Sequence, residues 1–140
     1  MKVKQLYSSN YEIVAIIDDD ACPVEDFLTS GEASTQSTRT GLLDMMEHIA
    51  EYGFHGTPSK WTHEASKNDG IYELTKGRLR VFYFKGKESQ IVVCTHGIIK
   101  KTQKADPAEV ARAKSWKDNY LAAVALNQLK VITDEDQQQD

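Results

Sequence analysis

The 140-residue chain predicts an α+β domain. The expected core is a small antiparallel sheet, a three-stranded C-terminal meander plus an N-terminal strand, with helices packed on one face and a C-terminal helix. Three observations carry this. The stretch Gly70 to Lys104 holds three short runs of aromatic and β-branched residues joined by tight turns, the pattern of antiparallel hairpins. Leu42, Met45, Met46, Ile49 and Ala50 recur at helical spacing. Asp106, Pro107 and Glu109 form a helix start, with the N-cap, first-turn proline and capping-box acid in their favoured places.

In chain order, Glu12 to Ile17 reads as the first strand, ended by Asp18-Asp19-Asp20. Three consecutive carboxylates on an extended chain do not converge on a metal, so that run reads as a solvated turn. Pro23 to Leu28 suits one or two helical turns. Thr29 to Thr40, rich in small polar residues, reads as a loop. The Leu42–Ala50 stripe stops at Gly53, a natural helix terminator. Phe54 to Asp69 carries Gly56, Pro58 and Asn68-Asp69-Gly70 and is expected to be mostly loop. Strands follow over Ile71–Lys76, Leu79–Lys85 and Gln90–Ile99, turning at Gly77 and at Lys85-Gly86-Lys87. In the last helix Ala113, Trp116, Tyr120, Ala123 and Val124 make the packed face, and the pattern carries it to about Lys130. Residues 1–132 are thus expected to form one domain, with the acidic tail 133–140 disordered.

A hydrophobic fraction of 40% and a charged fraction of 27% are ordinary for a globular chain. No apolar run nears the ~18 residues of a membrane span, and the first residues lack a secretory h-region. A cytoplasmic protein is expected. Cys22 and Cys94 are the only cysteines and the four histidines lack paired ligand spacing, so neither a disulfide framework nor a metal or other cofactor is expected. Charge is the unusual feature. Lys60 to Lys117 carries 13 Lys and Arg against 6 Asp and Glu, whereas the rest carries 4 against 15. The net charge of −4 therefore conceals a basic middle, which points to a polyanion partner.

Strand alternation places Arg78, Arg80, Phe82 and Phe84 on one face, and Leu79, Val81, Tyr83 and Lys85 on the other. In the last strand Cys94, His96, Ile98 and Lys100 alternate with Thr95, Gly97, Ile99 and Lys101. Adjacent strands can thus gather Arg80, His96 and Lys100 or Lys101. Such a group suits metal-independent RNA cleavage: cations stabilise the phosphorane while another side chain moves protons. His96 and Tyr83 are the proton-transfer candidates, with Glu73 behind them. Each residue also has an ordinary reading, as a solvated arginine or lysine, a packed histidine or a core tyrosine.

The segments GIYELTKGRLRVFYF and IVVCTHGIIKKTQKADPAEVARAKSWKDNYL add specificity. Together they resemble the RelE/ParE superfamily of type II toxins, and within it the phage-derived HigB-like branch. The resemblance implies a RelE-like fold and an mRNA endonuclease acting in the ribosomal A site, neutralised by a helix-turn-helix antitoxin. It assigns Arg80 to the scissile phosphate and Lys100 and Lys101 to the basic pair ending the last strand. Arg78, Lys104 and Lys60 extend the expected RNA-binding surface. The sequence departs from the family pattern at Thr75, where many members carry arginine, and at Glu73, where some carry lysine. Asp106 and Pro107 stand where a tyrosine is usual in RelE. Two other readings remain open at this point: a non-enzymatic ParE-like inhibitor of DNA gyrase, and an inactive phage or prophage relative that only binds a partner.

Overall fold

A computed structural model of the chain describes residues 1–102 and 106–134. Strands β1 (Lys2–Ser8) and β2 (Glu12–Ile16) form a first hairpin, followed by helices α1 (Pro23–Thr29) and α2 (Gln36–Tyr52). Strands β3 (Thr62–Ser66), β4 (Ile71–Lys76), β5 (Leu79–Phe84) and β6 (Gln90–Ile99) make an antiparallel meander. Helix α3 (Pro107–Ala125) and the short strand β7 (Lys130–Ile132) complete the described chain. All strands join one seven-stranded sheet in the order β3-β4-β5-β6-β2-β1-β7. It is mostly antiparallel, with parallel pairing of β2 to β6 and of β1 to β7.

The α+β class and the three-stranded meander agree with the sequence reading. Several details differ. The sheet gains β1, β3 and β7, and β3 lies in the stretch expected to be loop. Helix α2 begins at Gln36, inside the expected Thr29–Thr40 loop. Arg39 draws that stretch together: its guanidinium donates to Leu28 O, Glu32 O and Thr35 Oγ1. Helix α3 ends before Lys130, because Asn127 adopts φ +56. There Asn127 N–H donates to Val124 O and Gln128 N–H to Ala123 O, a Schellman stop. The acidic run Asp18–Asp20 is a tight turn, with Asp19 and Asp20 at φ +49 and +70.

Helices cover both faces of the sheet rather than one. Ile13, Ala15, Leu74, Val81, Tyr83 and Cys94 pack toward α1 and α2, against Val24, Leu42, Met46 and Ile49. Val14, Ile16, Ile71, Phe82, Phe84 and Val93 pack toward α3, against Ala113 and Tyr120. The run Ile13–Ile16 is therefore buried on both sides, as apolar strands between two layers are. Gly97 allows α1 to approach closely, since a Cβ there would stand 2.2 Å from the Phe27 ring.

A bulge in β6 decides which side chains share a face. Phe82 pairs with His96, but Tyr83 pairs with Cys94, so Thr95 is the extra residue. Strict alternation would place Cys94 and His96 together; the bulge puts Cys94 with α1 and α2, and His96 beneath α3.

Candidate functional site

The α3 face of the meander extends past the helix N-terminus, and there it opens into a cleft of about 620 Å³. Register explains its lining. Glu73 lies between His63 on β3 and Phe82 on β5, and Phe82 in turn pairs with His96. Thr75, Arg80 and Ile98 form the next row. Gly77, at φ +55, lets the chain reverse between β4 and β5, and this turn carries Arg78. The cleft is bordered by His63, Glu73, Arg78, Arg80, Lys100 and Lys101. A neighbouring recess of about 300 Å³ shares Glu73 and both lysines and reaches Asp106 and Glu109 at the start of α3.

Arg80 thus borders one cleft together with both Lys100 and Lys101. Lys100 is held by its backbone N–H, which donates to Arg78 O at 2.7 Å. Arg80 Nη1 donates to Gly77 O (2.7 Å) and Leu79 O (2.9 Å), so the guanidinium is oriented by its own hairpin. Arg80 Nε lies 3.9 Å from Glu73 Oε2, an ion pair too long for a hydrogen bond.

His96 reaches the cleft only indirectly. It is buried and stacks on Phe82 with ring centroids 4.9 Å apart. Its Nε2 meets Glu109 Oε2 at 2.5 Å and its Nδ1 meets Thr95 Oγ1 at 2.9 Å. Burial, and then the Arg112 charge, lower its pKa, while the bond to Glu109 partly opposes them. The assignment that satisfies all three groups is a neutral ring, with Nε2–H donating to Glu109 and Thr95 O–H donating to Nδ1. A histidine whose folded pKa is lowered gives its full stability above the ordinary value of 6.5. That contribution is lost as pH falls, because the unfolded chain takes up the proton first. Urea unfolding at about pH 7.5 and about pH 5.5 should show this loss, and His96→Asn should flatten it. An unchanged pH response in the variant would remove His96 as its source.

Tyr83 is held away from the cleft. It lies on the α1–α2 face, stacked with Tyr72 and Phe54, and burial pushes its phenol far above the ordinary range. Lys60 is exposed in the turn Ser59–Trp61 just before β3 and does not border the cleft. Lys104 lies outside the described residues. Sequence reasoning left out His63 and gave Glu109 only a capping part. Placing His63 requires β3, whose residues Thr62–Ser66 carry no apolar alternation. Placing Glu109 requires the packing of α3 over His96.

Among the described residues no helix is long and apolar enough to cross a membrane. No cluster of three or more His, Cys, Asp or Glu there is arranged to hold a metal ion. Residues 32–118 match the family described as Phage derived protein Gp49-like (DUF891). The chain belongs to that family. No curated protein matches the chain. The Gp49-like family is phage-derived, is related to the RelE toxins, and is associated with toxin–antitoxin systems, which implies an antitoxin partner in general. The matched segment contains every residue that borders the Gp49-like chain's cleft.

Proposed function

We propose that this chain is the toxin of a type II toxin–antitoxin pair and cleaves mRNA without a metal, in the ribosomal A site, under control of a helix-turn-helix antitoxin. The observation that supports it is the cleft, where Arg78, Arg80, Lys100 and Lys101 converge within the family segment. Arg80, Lys100 and Lys101 hold the scissile phosphate and stabilise the charge that builds on it, since preoriented donors act most strongly where charge develops. Arg78 and the more distant Lys60 extend the path of the RNA backbone. His96 works by position, fixing Glu109 at the mouth of the recess. Proton transfer then falls to carboxylates at the cleft rather than to the imidazole or to Tyr83.

Inducing the chain in cells should arrest growth, and mapping of mRNA 5′ ends should show cuts in phase with codons. Intact mRNA during the arrest would overturn the nuclease reading. Intact mRNA with accumulated DNA breaks would move the chain to the gyrase-inhibiting class.

A further inference from the structure

Glu73 and Arg80 form a slack ion pair in the wall of the cleft, with Arg80 Nε 3.9 Å from Glu73 Oε2. Glu73 Oε1 and Arg80 Nε are closed off from solvent and have no hydrogen-bond partner among the described residues. A molecule in the cleft therefore touches neither atom. The pair is not needed to aim the guanidinium, because Arg80 Nη1 already donates to Gly77 O and Leu79 O. Nor does so loose a contact repay the cost of taking a carboxylate out of water. What Glu73 supplies to the site is its charge. It lies behind four cations, Arg78, Arg80, Lys100 and Lys101, and both the main cleft and the neighbouring recess reach it. The field of a buried charge is weakly screened, so it acts on an anion bound in front of it.

We infer that Glu73 is a built-in restraint on anion binding: its buried charge, acting without touching the ligand, holds the cleft's affinity for a phosphate backbone well below what four cations alone would give. The inference rests on the reading of the cleft as a phosphate-binding site, and adds to it the residue that limits that binding. Binding that is equally strong before and at the transition state does not raise the rate of a chemical step. The restraint thus reduces retention of the strand rather than catalytic power. Glu64 provides the natural comparison, since it borders the same cleft but is exposed. Its charge is open to screening by salt, whereas that of Glu73 is not.

The test is binding of one short single-stranded RNA, followed by fluorescence anisotropy at about 50 and about 200 mM salt. Glu73→Gln is expected to tighten binding by about tenfold at low salt and to keep most of that gain at high salt. Glu64→Gln should give a smaller gain that disappears at high salt. Glu73→Met, which removes the charge at similar side-chain length, should behave like Glu73→Gln, and both should unfold in urea no earlier than the wild type. Unchanged or weaker binding by the folded variants would overturn the inference, the weaker result making Glu73 a positioning residue for Arg80. A gain at Glu73 no more salt-resistant than the gain at Glu64 would overturn it too. So would loss of the fold in both variants, because the pair would then be holding the cleft wall in place. Failure of the underlying reading looks different: none of the proteins binds RNA, or Arg80→Ala leaves the wild-type affinity unchanged. Either result overturns the restraint as well.

Discussion

Replacing Arg80 with alanine is expected to lower mRNA cleavage by about 10²–10³-fold, the usual effect of removing one preoriented donor from developing charge. The guanidinium is borne on a central strand, and two carbonyls of its own hairpin fix its orientation. It therefore meets a phosphate without first surrendering much freedom. Arg80→Lys should recover only part of the activity, since an ammonium keeps the charge but loses the planar fork. The substitution also leaves Glu73 without its nearest cation. With the pair at 3.9 Å and the Arg80 side chain partly exposed, the effect on stability should fall below the ~3–5 kcal/mol of a tight buried pair. Adding Glu73→Gln to Arg80→Ala should restore the unfolding midpoint without restoring cleavage. Rate and stability, measured together, thus separate the chemical part of Arg80 from its structural one. Undiminished cleavage by a folded Arg80→Ala protein would remove Arg80 from the site.

The second large effect is expected at Phe82. Phe82 is fully buried, packs beneath α3, and lies in register between Glu73 and His96. Its ring is parallel to the His96 imidazole within 11°. Phe82→Ala should cost ~3–5 kcal/mol in urea unfolding, a large share of the roughly 5–15 kcal/mol that holds a domain together. Phe82→Leu should cost less, yet it removes the stacked surface that fixes the His96–Glu109 contact. Wild-type stability in Phe82→Ala would mean that the cleft floor is not continuous with the core.

The meander was legible because its turns are short and its strands rich in aromatic and β-branched residues. Register between Glu73, Phe82 and His96 was not, since nothing in the run Gln90–Ile99 marks Thr95 as the extra residue of the bulge, with its hydroxyl buried between Phe82 O and the His96 ring. β1 carries lysines where a core strand would be apolar. One of them, Lys4, is nevertheless buried, against Glu25 of α1. The second helical layer had a signal in the unbroken apolar run Ile13–Ile16, which marks a strand covered on both sides. Arg80 could be grouped with Lys100 or Lys101 because they lie on adjacent strands of one hairpin, and the resemblance supplied both lysines as a pair. Glu109 could not, since it arrives from a helix packed across the sheet.

The parallel pairing of β1 with β7 also governs how the chain is assembled. Lys2 lies opposite Lys130, and Lys130 N–H donates to Met1 O at 3.0 Å. Strand β1 leaves the ribosome well before β7 and therefore waits for that later strand before its outer edge is covered. The β3–β6 meander, built from near neighbours in sequence, has no such delay, and local contacts form faster than distant ones. Until β7 arrives, the open flank of β1 is a free β-edge available to other chains. Closing it late makes the three-residue strand β7 a kinetic seal as well as a piece of the sheet.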